Sequence, residues 1–243
     1  MASWERLLNR IDPRPKLNFL HIGKNAGTQI RHFSSSYNML RERKYRIIHR
    51  NHDIMLKRIP HDQDYFFSIR DPASRFRSGF YSRKRKGMPK GYAEWTQHEE
   101  YAFQEFESAN DLAEALFLRN ERGMLANAAI QSIRHTAMSQ SMWFYNCGNL
   151  FRVRPPFAIL RVENFEEDFE NFFDQLGTKT RIDLRSDEKS SHRNNYSGTP
   201  ELSELSQMNL RRWYCQDYEF LKQCENWLVF TKGLSPCRAY ANF

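Results

Sequence analysis

Four short β-prone runs, interleaved with helix-compatible stretches, constrain this chain more than any other feature. They are Leu17–Ile22, Tyr45–His49, Tyr65–Ile69 and Phe157–Val162, all rich in aromatic or branched residues and too short for typical helices. Thr28 to Tyr37, the stretch opened by Asp71-Pro72, most of 99–145, Phe165 to Leu176 and the region after Thr199-Pro200 read as helical. Strands that alternate with helices pair in parallel, because a parallel crossover needs the length of a helix. The expected fold class is therefore α/β, with a mainly parallel central sheet flanked by helices.

Punctuation refines this outline. Asp71 is a good N-cap and Pro72 suits the first helical position, where its missing N–H costs nothing. That helix is expected to run to Arg83-Lys84-Arg85-Lys86 and to stop at Gly87 and Pro89. The basic cluster reads as a solvated helix end, with attraction of an acidic acceptor as its functional alternative. Thr199-Pro200 restarts a helix by the same cap-plus-proline logic, and 178–198 reads as a polar, mobile loop. At 243 residues the chain suits one domain, burying roughly 70–75% of its unfolded surface without staples.

Composition bounds the partners. The formal charge of +8 favours an anionic partner through surface potential, which leaves nucleic acid, a phosphorylated cofactor, an acidic glycan and a membrane surface open. Cys147, Cys215, Cys224 and Cys237 form no C-x-x-C pair and read as reduced, mostly buried small hydrophobes, a bridge among the last three staying open. No His cluster stands at zinc-finger spacing, and no metal is expected. Neither a secretory apolar run at the start nor a stretch of about 18 apolar residues is present, so a soluble, cytoplasmic protein without stable membrane insertion is expected, or else a chain trimmed of its anchor.

Two segments carry chemistry. His21-Ile22-Gly23-Lys24-Asn25-Ala26-Gly27-Thr28 joins the first strand to a helix, where unpaired N–H groups and the helix dipole make an anion site. Small residues let backbone approach the anion and Lys24 adds charge. The Walker pattern places its lysine after the second glycine, whereas Lys24 precedes Gly27. The second segment, Arg70-Asp71-Pro72-Ala73-Ser74-Arg75-Phe76-Arg77-Ser78-Gly79-Phe80-Tyr81, starts where the third strand stops. An arginine there reaches the crevice in which open α/β sheets bind ligands, and a guanidinium with a hydroxyl two turns on can fork a phosphate.

The first segment resembles the 5′-phosphosulfate loop of carbohydrate sulfotransferases of the heparan and chondroitin type, usually H-I-x-K-T-G-G-T. These enzymes use 3′-phosphoadenosine 5′-phosphosulfate (PAPS). His21, Ile22, Lys24, Gly27 and Thr28 keep the pattern; Asn25 and Ala26 stand where Thr and Gly are frequent, and Gly23 where Pro is. The second segment resembles the family's 3′-phosphate element, R-D-P-x-x-R-x-x-S-x-[FY]. The resemblance is strong over Leu17–Gln29 and Tyr65–Ser82 and weaker over Phe157–Phe173 and Pro200–Leu221. It implies a P-loop-like sulfotransferase domain spanning 1–243, with a nucleotide-binding core at 17–86 and 157–200 and a helical acceptor-side elaboration at 99–145. PAPS would be the donor and adenosine 3′,5′-bisphosphate the product. Lys24, Asn25, Ala26, Gly27, Thr28 and Gln29 would bind the 5′ side, Arg70 and Ser78 the 3′-phosphate, and Arg75 would brace the element.

Sulfuryl transfer needs in-line geometry, charge stabilisation and a base on the acceptor hydroxyl. The second strand runs into His49 and His52, placing both at the carboxyl edge. Several members of the resembled family carry their catalytic His just after this strand, so His52 is the expected base, His49 the second candidate and His21 a residue packed under the loop. Lys24 is expected to stabilise the departing phosphate oxygen. Lys189 and Arg193, in the polar loop, are candidates for the 3′-phosphate, and Arg161 to Phe169 resembles a late structural segment. A carbohydrate hydroxyl is the expected acceptor, with no nucleic-acid partner. Two rivals are a nucleotide-dependent kinase with a degenerate loop, which would need a metal-holding carboxylate, and a basic module binding glycan or nucleic acid without chemistry.

Overall fold

The structure is a computed structural model that describes residues 12–40, 42–89, 91–177, 196 and 198–231. β1 (Lys16–Leu20), β2 (Arg46–His49), β3 (Asp64–Ile69) and β4 (Ala158–Arg161) form one all-parallel sheet in the order β2-β1-β3-β4. The expected strands are all present, with ends shifted by a residue or two. α1 (Gly27–Met39) carries the chain from β1 to β2 on one side, and β3 then pairs with β1 on the other. Strand order therefore reverses at β1, and the carboxyl ends of β1 and β3 flank the switch point. Phe19 stands opposite His49 and Leu20 opposite Phe67, so the adjacent strand tips are nearly level.

Further helices among the described residues are α2 (Pro72–Lys84), α3 (Gln97–Glu105), α4 (Ala109–Ala115), α5 (Glu121–Ser132), α6 (Leu150–Val153), α7 (Phe165–Gln175), α8 (Glu204–Trp213) and α9 (Cys215–Thr231). The chain divides into two compact units. The first comprises Met1–Ile69, Met142–Arg193 and Gln223–Phe243, the second Arg70–Ser141 and Asn194–Lys222. α2, assigned from sequence to the nucleotide core, packs with α4 and α8 in the second unit.

In the first unit, alternation sends Leu17, Phe19, Phe66, Ala158 and Leu160 to one sheet face. There they meet Ile30, Phe33 and Tyr37 of α1 and Phe169, Phe172 and Phe173 of α7. Phe33 lies 4.9 Å from Phe169 and 5.1 Å from Phe173 between ring centroids, both edge to face. Arg161, at the end of β4, is tied to Asp168 through its backbone N–H and two guanidinium nitrogens. That lock fits the structural role expected of the segment.

In the second unit, Phe76, Phe80, Phe103, Phe106, Leu112, Leu116, Ile130 and Leu210 share a core. The long helical region breaks into α3, α4 and α5 because Thr96, Ser108 and Asn120 each cap a fresh helix through the side chain. Two sequence expectations are corrected. Arg83 is no solvated helix end: it is buried and forks Glu99 at 2.7 and 2.6 Å, while Lys84 bonds the Glu107 carbonyl and Lys86 pairs with Glu94. The last long helical region starts at Ser203, not Thr199. The Thr199 hydroxyl is engaged in its own turn, donating to the Tyr196 carbonyl at 2.8 Å and accepting from Arg77, whereas Ser203 accepts from the Ser206 N–H.

Of the described cysteines, Cys224 is buried, Cys147 half-buried and Cys215 exposed, all three with free thiols, so burial holds for one of the three. Cys237 lies outside the described residues. Among the described residues, no helix is long and apolar enough to cross a membrane.

Candidate functional site

In the first unit the β1–α1 turn has an unusual backbone. Lys24 and Ala26 both adopt positive φ, 71° and 56°, a conformation that L residues avoid. Left-handed residues in such a turn aim successive N–H groups to one side, as in anion-binding nests. Asn25, between them, is fully buried, and its side chain works inward. Its amide donates to the Ser68 carbonyl at 2.8 Å while the Ser68 hydroxyl donates to the Asn25 carbonyl. This staple pins the turn to β3. Thr28 and Gln29 occupy the first turn of α1, both half-exposed.

Gly27 is also constrained from beneath the turn. A Cβ there would lie 1.9 Å from His21 Nε2. His21 thus packs under the turn, as expected, and its bulk excludes any side chain above it. α1 also starts without a side-chain cap and without an acidic residue in its first turn. By contrast α2, α3, α4, α5 and α8 are each capped by a side chain, and α7 opens with Glu166, Glu167 and Asp168. A helix start with no side-chain cap and no acid in its first turn fits a multiply charged phosphate group.

The expected histidines converge. The His21 ring centroid lies 3.7 Å from that of His52 and 4.6 Å from that of His49. Both ring nitrogens of His49 face protein partners: Nε2 lies 3.3 Å from the Gly27 carbonyl, and Nδ1 lies 3.5 Å from an Arg31 guanidinium nitrogen. His49 therefore braces the turn. His52 is exposed, and its backbone is held by Trp143, whose indole donates to the His52 carbonyl at 3.0 Å. Trp143, which sequence reasoning passed over, stands 91 residues away along the chain. Among the described residues no group of three or more His, Cys, Asp or Glu is placed to hold a metal.

In the second unit the Arg70 element is built as its pattern suggests. Asp71 caps α2, accepting from the Ser74 N–H at 2.7 Å, with Pro72 at the first helical position. Arg70 donates through Nε to the Ser74 hydroxyl at 2.9 Å. Arg75 is buried and donates to the Met138 carbonyl at 2.7 Å; burial lowers its pKa, opposed by Tyr214 and Asp217. Ser78 is buried on the same helix. Gly79 lets α2 approach 135 closely, since a Cβ would come within 3.0 Å of the His135 Cβ. Three residues unmarked by any motif support this element, namely Ser74, Gln140 and Asp217. The long sequence separations of Gln140 and Asp217 hid them from local reading.

Lys189 and Arg193 fall outside the described residues, as does nearly all of 178–198. The chain matches no protein-family model, no curated protein and no solved structure.

Proposed function

We propose that this chain is a PAPS-dependent sulfotransferase of the P-loop-like type, acting on a hydroxyl of a carbohydrate acceptor. The observation that carries the reading is the β1–α1 turn. Its residues follow the phosphosulfate-loop pattern, its backbone is left-handed at Lys24 and Ala26, and the helix behind it starts with no side-chain cap and no acid in its first turn. An independent motif, Arg70 to Ser78, follows the adjacent parallel strand in the family's order. PAPS supplies the activated sulfuryl group and a phosphate leaving group. Lys24 and the turn's N–H groups neutralise charge on the 5′ side, and Arg70 with Ser78 holds the 3′-phosphate. His52 takes the proton from the acceptor hydroxyl, a role that suits an exposed imidazole better than the doubly engaged His49.

Calorimetry with adenosine 3′,5′-bisphosphate, ATP and AMP tests this directly. The bisphosphate is expected to bind at least about ten-fold more tightly than either of the others, since each good charge-assisted phosphate contact adds that order. Tighter, magnesium-dependent ATP binding would point to a kinase instead. Salt-sensitive polymer binding with no nucleotide preference would point to a basic binding module.

A further inference from the structure

The Arg70 backbone is gripped from both sides by one side chain. The Gln140 amide accepts from the Arg70 N–H at 3.1 Å and donates to the Arg70 carbonyl at 2.7 Å. A two-point clamp of this kind fixes the peptide planes from which the side chain departs. Gln140 is itself fully buried and is held by Asp217, whose carboxylate accepts from the Gln140 N–H at 2.8 Å and the Ser141 N–H at 3.1 Å. Further along, Ser74 orients the guanidinium by accepting from its Nε at 2.9 Å. Ser74 is in turn fixed by Asp71, and Asp71 accepts from the Tyr218 hydroxyl at 3.3 Å. Adjacent residues of α9, Asp217 and Tyr218, therefore hold the backbone and the side-chain supports of the same arginine. All of these groups lie within the second unit.

We infer that Gln140, anchored by Asp217, and Ser74 are positioning residues that pre-set the Arg70 guanidinium for a terminal phosphate monoester on a nucleoside. This rests on the assignment of Arg70 to the 3′-phosphate. A buried amide spending both its donor and its acceptor on one backbone residue rigidifies that residue, and pre-set donors bind an anion without a further ordering cost.

The test is calorimetry on the full chain with adenosine 3′,5′-bisphosphate and with adenosine 5′-monophosphate, which lacks the 3′-phosphate. Gln140→Ala and Ser74→Ala are each expected to weaken bisphosphate binding roughly ten-fold. Monophosphate binding should stay within two-fold or so, a selectivity that general loosening of the fold would not produce. Arg70→Ala should weaken the bisphosphate more, and adding Gln140→Ala to it should cost nothing further, because the two act through one contact. If Arg70→Ala is weak while both positioning variants bind the bisphosphate as the unmodified chain does, the positioning role is wrong and the 3′-phosphate assignment stands. Unchanged binding in Arg70→Ala, or no binding of either nucleotide by the unmodified chain, overturns the assignment and the inference with it. Should Gln140→Ala fail to fold, Ser74→Ala decides alone, since Ser74 is only half-buried at the start of α2.

Discussion

Gly27 and His21 form a pair in which one residue's smallness makes room for the other's ring. With a Cβ only 1.9 Å from Nε2, Gly27→Ala forces His21 to move, and overpacking of this kind costs about 1–3 kcal/mol. The same substitution in a His21→Ala background should cost markedly less, and urea midpoints of the four chains would show that coupling. Additive losses would mean that the glycine answers to something other than the imidazole. His52 calls for a different measurement. His52 is exposed, and on the proposed reading His52→Ala should abolish sulfuryl transfer while bisphosphate affinity stays within a few fold. Full turnover in that variant would remove His52 as the base. Asn25 illustrates how far a residue reading reaches. Its place in the loop was legible, but its inward amide bond to Ser68 was not, because the partner stands 43 residues along the chain.

Elements are joined by polar locks as much as by apolar faces. α2 and α3 are tied by Arg83 and Glu99, both almost fully buried, and Glu99 also accepts from the N–H groups of Thr96 and Arg134. Burial alone would raise the Glu99 pKa, but the Arg83 bond and the two N–H donors outweigh it and hold the carboxyl at about 2, below its ordinary 4.5. A carboxyl depressed on folding is protonated first in the unfolded chain. Its stabilisation is thus complete above about pH 4.5 and is lost as pH falls towards 2. Glu99→Gln should flatten the acid limb of stability over that window and destabilise the fold by about 3–5 kcal/mol, because Arg83 keeps its charge in a buried place. Urea unfolding from pH 2 to 7 checks both. The Arg83 cluster shows why charge runs mislead: four consecutive basic residues look solvated until a distant acid is found to pair with one of them.

At the scale of the whole molecule, the formal charge of +8 biases encounter with any anionic ligand. Bisphosphate affinity should fall steadily as salt rises from about 0.05 to 0.5 M, over which the screening length shrinks from more than 10 Å to about 4 Å. Calorimetry across that range measures the slope, and a flat response would confine recognition to short-range contacts. The sheet order β2-β1-β3-β4 adds the other whole-molecule property, since it puts the carboxyl ends of β1 and β3 beside each other at the reversal point.

Strand positions, the parallel class of the sheet, the β1–α1 turn and the capped start of α2 could all be read from residue order alone. Each depends on interactions within a few residues: side-chain alternation, small residues in a turn, an aspartate three positions before the N–H it caps. Strand order, the packing of His52 against His21, the burial of Arg83 and the Asp217–Gln140–Arg70 chain were decided only by the tertiary structure. Those contacts join positions tens of residues apart. Their partners are selected by which groups remain unsatisfied once the apolar faces have closed, and no local pattern records that outcome.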